Sequence, residues 1–144
     1  MLRFIDKKGM KALSLLKNPS DVLAVFEQPI SSDVLTHAPK NHMFVLDRIQ
    51  DPGNMGSILR SSAWFGWDAV LAIDSVDFYN PKVIQSAMGA HGKLRMQSVS
   101  LDELVAYIST HSVPCLATVL GGEIIGGVVA DLPNLVLLGN EGQG

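Results

Sequence analysis

The sequence predicts an α/β fold: a mostly parallel sheet with helices on both faces. Three observations carry that expectation. Short apolar runs alternate with longer helical patterns along the chain. Those runs are too short and too continuously apolar for surface helices, which is the pattern of strands covered on both sides. The segments between them open on residues suited to a first helical turn, so the order βαβαβ implies parallel strands with helical crossovers. At 144 residues the chain has room for one domain, and a domain this long buries about 70% of its unfolded surface.

Taken in order, the chain starts with a helical stretch and then "VLAVFEQ" (22–28), read as a strand. This leading part, about 30 residues, is too small to fold alone. Pro29 and the polar run "SSDVLTHAPKN" (31–41) form a linker to the body. "MFVLD" (43–47), "AVLAID" (69–74), "PCLATVL" (114–120) and "NLVLLG" (134–139) are the body's expected strands. "GNMGSILRSSAWFG" (53–66), "PKVIQSAMGAHG" (81–92) and "SLDELVAYISTH" (100–111) are its expected helices. Pro81 suits a first turn, and Ser100 followed by Glu103 makes a capping box.

With 47% apolar and 17% charged residues the chain is globular rather than disordered. A net charge of −3 argues against a broad, sequence-independent grip on nucleic acid. The average hides an asymmetry: Arg3, Lys7, Lys8, Lys11 and Lys17 face Asp6 alone, and neither Lys nor Arg follows Arg95. A polyanion would therefore touch the first two thirds of the chain. The single cysteine, Cys115, allows no internal disulfide and reads as a small buried hydrophobe. No apolar stretch approaches the roughly 20 residues of a membrane span, and "MLRFIDKKG" lacks a secretion signal's apolar core. A soluble cytoplasmic protein is expected.

Open parallel sheets carry their sites at the carboxyl ends of strands, and two such ends stand out. The first runs from Asp47 to Arg60. Here Pro52 and Gly53 make a tight turn, and Asn54 is a good helix cap. Gly56 and Arg60 share a helix face to within about 40°, so the glycine leaves space beside a guanidinium buried in an oily helix. The spacing also allows a plainer arrangement, a capped helix whose arginine pairs with Asp47 or Asp51. The second end is "LVLLGNEGQG" (135–144), where Gly139, Gly142 and Gly144 let backbone amides approach a ligand and Glu141 is the lone charge. A plain turn fits that stretch equally well. His37, His42, His91 and His111 lack metal-ligand spacing. Trp64, Phe65 and Trp67 could stack on a base, but core or subunit packing is the stronger reading.

Together, "DPGNMGSILRSSAWFG", "NPKVIQSAMGAHG" and "LVLLGNEGQG" strongly resemble the SpoU (TrmH) family of RNA ribose methyltransferases, within the SPOUT superfamily. The likeness covers residues 43–144, with Asn54, Gly56 and Arg60 matching one motif and Gly139, Asn140, Glu141 and Gly142 another. Upstream, "MKALSLLKNPSDVLAVFEQP" looks like the tail of the RNA-recognition domain that many members carry. The chain then divides into a remnant of that domain plus linker (1–40) and a SpoU-type methyltransferase domain (41–144).

The resemblance implies methyl transfer from S-adenosylmethionine to a ribose 2′-hydroxyl of tRNA or rRNA, by a homodimer whose sites form at the subunit interface. It implies catalytic roles for Arg60, Asn54 and Glu141, and a cofactor cradle from Thr118, Leu120, Gly139, Asn140 and Gly142. It further implies a carboxyl-terminal trefoil knot, a rare exception to unknotted chains. The family's third motif, a Ser-Leu-Asn stretch, does not occur before Gly144, so the knot-completing segment is expected to be missing. The alternative implied by that departure is a non-catalytic module that binds RNA or a sister subunit.

Overall fold

The computed structural model describes residues 2–28, 33–122, 134–140 and 142. Its elements in chain order are α1 (Lys7–Leu13), β1 (Met43–Asp47), α2 (Pro52–Trp64), β2 (Ala69–Ile73), α3 (Pro81–Ala87), β3 (Arg95–Ser98), α4 (Leu101–His111), β4 (Cys115–Ala117) and β5 (Leu135–Leu138). The five strands form one sheet in the order β3-β2-β1-β5-β4, and every neighbouring pair is parallel. The chain steps outward from β1 to β3, crosses to β4 at the opposite edge, and returns to place β5 between β4 and β1.

Strand alternation sorts the side chains into two cores. Met43, Val45, Leu71 and Ile73 pack with Leu104 and Tyr107 of α4. Leu46, Val70 and Ala72 pack with Met55 and Leu59 of α2 and Val83 and Ala87 of α3. Helices thus cover both faces, as the apolar runs require. No helix among the described residues is long and apolar enough to cross a membrane.

Several expectations change in the structure. Residues 22–28 form no strand, and Val22, Val25 and Phe26 are largely exposed. A β-prone run becomes a strand only where a neighbour completes its ladder, and among the described residues the sheet ends at β3 and β4. Conversely β3 escaped the reading because "RMQS" holds a single apolar residue, Met96, and so carries no continuous apolar run. The helix expected over 81–92 stops at Ala87, where Met88 (φ 49) and Gly89 (φ 88) are left-handed and a 3-10 turn, Ala90–Gly92, follows. Cys115 is exposed on the edge strand β4 rather than buried. Partial desolvation pushes its thiol up, which leaves it a poor nucleophile at neutral pH.

The run ahead of β1 is docked on the body. A 3-10 turn, Val34–Thr36, buries Val34 in the α4-side core. The Val34 N–H donates to Gln97 Oε1 at 2.7 Å, the Tyr107 hydroxyl to the His37 carbonyl at 3.0 Å, and the Lys40 N–H to Asp68 Oδ2 at 3.0 Å. Burial, with the Asp68 carboxylate nearby, pushes the Tyr107 phenol up, so it stays protonated to donate.

Helices α2 and α3 meet at Gly56. A β-carbon there would lie 1.8 Å from Ser86 Oγ, 2.6 Å from Ser86 Cβ and 2.8 Å from the Ala87 amide nitrogen. Gly56→Ala should therefore cost about 1–3 kcal/mol of stability, read by urea denaturation. Ser86→Ala in the same chain should leave most of that loss, because Cβ and backbone remain in the way. On the other face, Glu103 accepts from the Ser100 N–H at 2.7 Å and its hydroxyl at 2.8 Å, which holds the carboxyl below its usual range. A depressed carboxylate stabilises the fold above its unfolded pKa and ceases to do so as pH falls through the folded value. Glu103→Gln should accordingly reduce the loss of stability on acidification below the ordinary glutamate range, measured by denaturation across pH.

Candidate active site

The first loop leaves β1 through Arg48, whose backbone is left-handed (φ 55). Its amide N–H donates to the Ile73 carbonyl at 2.9 Å, and the Ile49 N–H donates to Ser75 Oγ at 2.9 Å. The loop is thereby held against the carboxyl end of β2. Its helix begins earlier than expected. Asp51, not Asn54, is the cap: its Oδ1 accepts the Asn54 N–H at 2.8 Å, and Pro52 is the first helical residue. The Asp51–Asn54 spacing is that of a cap and the third helical residue, so Pro52 and Gly53 belong to the helix and not to a separate turn. Asn54 is half-buried in the first turn.

Arg60 is exposed on α2 rather than buried. Nor is the space beside Gly56 open, since Ser86 fills it. The pairing with Asp47 or Asp51 does not occur either. Asp47 is held by Arg48, with Nη2 to Oδ2 at 3.1 Å, and Asp51 is engaged in capping. Arg60 Nη1 instead donates to the thioether of Met88 at 3.3 Å, a weak acceptor. The guanidinium therefore keeps donors for an incoming anion.

The second loop leaves β5 beside β1. Asn140 Nδ2 donates to the Arg48 carbonyl at 2.8 Å, and its Oδ1 accepts the Gly142 N–H at 2.8 Å. One side chain thus holds the Gly142 amide and ties this loop to the first. On the other side of β5, both the amide and the hydroxyl of Thr118 donate to the Leu137 carbonyl, each at 3.0 Å. Beyond Thr118, Leu120 is fully exposed, and among the described residues nothing lies within 4 Å of a β-carbon placed on Gly121 (φ 79). Glu141 lies outside the described residues.

Asn140, Gly142, Gly139 and Thr118 are therefore brought to adjacent carboxyl ends of β1, β5 and β4. Arg60 is not: among the described residues, the two hollows it lines are walled by α2, α3 and the Gly89–Lys93 stretch, with nothing from either glycine loop. Sequence reasoning missed Arg48, Ser86 and Met88. Gly56 was the available signal for Ser86, because a helix glycine four residues from a functional side chain also marks close packing. Nothing local marked the other two.

Residues 41–144 match the model of the SpoU rRNA Methylase family. The chain belongs to that family. Within it, the chain is 35% identical over 133 residues to an uncharacterized tRNA/rRNA methyltransferase of Synechocystis, covering 88% of this chain and 47% of that one. It is 28% identical over 145 residues to the 23S rRNA (guanosine(2553)-2′-O)-methyltransferase RlmP of Bacillus subtilis, covering 97% of this chain and 56% of that one. Its fold superposes on the SpoU methyltransferase AviRb of Streptomyces viridochromogenes, solved in complex with the cofactor AdoMet. The TM-score is 0.74 at 25% identity, over 82% of this chain and 50% of that one. The chain spans about half the length of the curated relatives it matches.

Within this SpoU chain the Asn140 tether is testable by itself. Asn140→Ala should lower stability by about 1 kcal/mol, the worth of a part-buried hydrogen bond. Asn140→Asp should lower it further, since a carboxylate would face the Arg48 carbonyl. Chemical denaturation of both variants checks the order.

Proposed function

We propose that the protein transfers a methyl group from S-adenosylmethionine to a ribose 2′-hydroxyl of tRNA or rRNA. The observation that carries this reading is the Asn140–Arg48 hydrogen bond, which docks one SpoU motif on the strand end that launches the other. Kinship with a 23S rRNA 2′-O-methyltransferase supports the ribose as acceptor. The residues present fit the donor. Thr118, Leu120, Gly139, Asn140 and Gly142 form two loops at neighbouring strand ends, offering backbone polar groups and, at Leu120 and Gly121, apolar surface and open space. That composition suits an adenosine with a charged tail. When bound, the cofactor supplies an electrophilic methyl group.

A guanidinium is a cation with donors and no acceptor, so the work of Arg60 is to orient the ribose or adjacent phosphate and to stabilise developing alkoxide charge. Holding acceptor and donor in line provides much of the acceleration in such a transfer. Asn54, at the start of the same helix, and Glu141 shape the site around the sugar. Because the hollows that Arg60 lines hold, among the described residues, nothing from its own glycine loops, the reading takes a homodimer in which each Arg60 serves the other copy's loops. Residues 1–40 act in this scheme as the tail of an RNA-recognition domain and its link. The protein works in the cytoplasm, a setting consistent with its single, unpaired cysteine.

The test is transfer of labelled methyl from S-adenosylmethionine to RNA, followed by alkaline hydrolysis. A 2′-O-methyl group blocks cleavage at that sugar, so label should emerge in dinucleotides; label in mononucleotides would mean base methylation and defeat the reading. RNA binding without cofactor binding, by calorimetry, would favour the non-catalytic module instead. Two substitutions should separate the roles. Arg60→Ala should abolish turnover and leave cofactor affinity within a few-fold, whereas Gly139→Val should weaken cofactor binding first, because a branched side chain occupies ligand space.

A further inference from the structure

Helices α2 and α3 present a surface that the ribose chemistry alone does not explain. In a chain of net charge −3, no Asp or Glu occurs from Pro52 to Gly66 or from Pro81 to Arg95. Arg60, Lys82 and Lys93 are exposed there. Among the described residues the ion pairs are Arg48–Asp47 and Arg95–Asp68, so none of those three cations has a carboxylate partner. Amid this positive face stands Trp64, 85% exposed. It follows Arg60 by four residues, one helical turn, and the two side chains line the same hollow of about 280 Å³ with Met88, Gly89 and Lys93. The nearby Trp67, by contrast, is stacked on Phe44 with ring centroids 3.8 Å apart.

We propose that this face docks single-stranded RNA, with Trp64 stacking an unpaired base beside the nucleotide held by Arg60. The proposal rests on the methyltransferase reading and extends it to the kind of RNA accepted. Cations without carboxylate partners attract phosphates, and an exposed aromatic among them offers the π-face on which unpaired bases stack. A base inside a duplex is already stacked on its neighbours and cannot reach that ring. A second copy meeting this face with its own identical face would set like charges against each other.

The test is fluorescence anisotropy with a short unstructured RNA and with the same strand in a duplex, using the full chain. Trp64→Ala should weaken single-strand binding by roughly 5- to 100-fold, the worth of one stacked base, and leave duplex binding unchanged. Trp64→Phe should stay within about threefold of the parent, since the stacking face survives. Lys82→Ala or Lys93→Ala should weaken both RNAs alike and reduce the salt dependence by about one phosphate contact. Equal affinity of Trp64→Ala and parent for the single strand overturns the stacking role while RNA binding, and with it the methyltransferase reading, survives. Failure to bind either RNA overturns both. If Trp64→Ala dissociates a dimer in sedimentation with RNA affinity intact, the face belongs to a second copy and the proposal falls.

Discussion

Two helices cannot approach as closely as α2 and α3 do unless one of them gives up its β-carbon at the crossing. Gly56 does so, and Ser86 occupies the vacated space, its hydroxyl within hydrogen-bond distance of the Pro52 carbonyl at 2.9 Å. Much else follows from that contact. It brings Met88 of the α3 corner beside Arg60 of α2. It also packs the cluster of Met55, Leu59, Val83 and Ala87 that covers one face of the sheet. A side chain at position 56 would part the helices and, with them, the surface that carries Arg60.

The second constraint is the parallel sheet. Because every strand of the described sheet points the same way, the candidate loops open on one edge. Placing β5 between β1 and β4 then makes neighbours of loops that are remote in sequence. Asn140 exploits this adjacency. It replaces the hydrogen bonds a ladder would have made past the strand ends and reaches the carbonyl that the left-handed Arg48 turns outward. One edge of the molecule thereby carries two loops tied to each other. The face of α2 and α3 is instead a surface of exposed cations and one exposed indole. The methyl transfer proposed above would bring both surfaces to one sugar, and that requirement is why the proposal takes two copies.

Much of the framework was legible residue by residue. The Ser100–Glu103 box starts α4 as its spacing requires, Pro81 occupies the first turn of α3, and the runs at 43, 69 and 135 are strands. Those features are local: a cap, a locked φ or an apolar strand announces itself within a few residues. The failures share the opposite property. "VLAVFEQ" has strand composition, yet finds no ladder, while "RMQS" has little strand character and pairs with β2. Pairing is decided by distant partners, so propensity misleads at both.

The site divides along the same line. The sequence by itself marked which loops are candidates for the site, because glycines, a cap and an isolated arginine at strand ends are local choices. It also determined the charge of the α2–α3 face, since the absence of carboxylates there is a matter of composition. Tertiary structure alone decided what each group touches. Asp47 turns to Arg48 and Asp51 to the helix amides, leaving Arg60 exposed against Met88. Trp64 stays in solvent while Trp67 stacks. Such outcomes depend on which elements arrive from far along the chain to compete for a partner, and spacing along one strand of sequence carries no record of that competition.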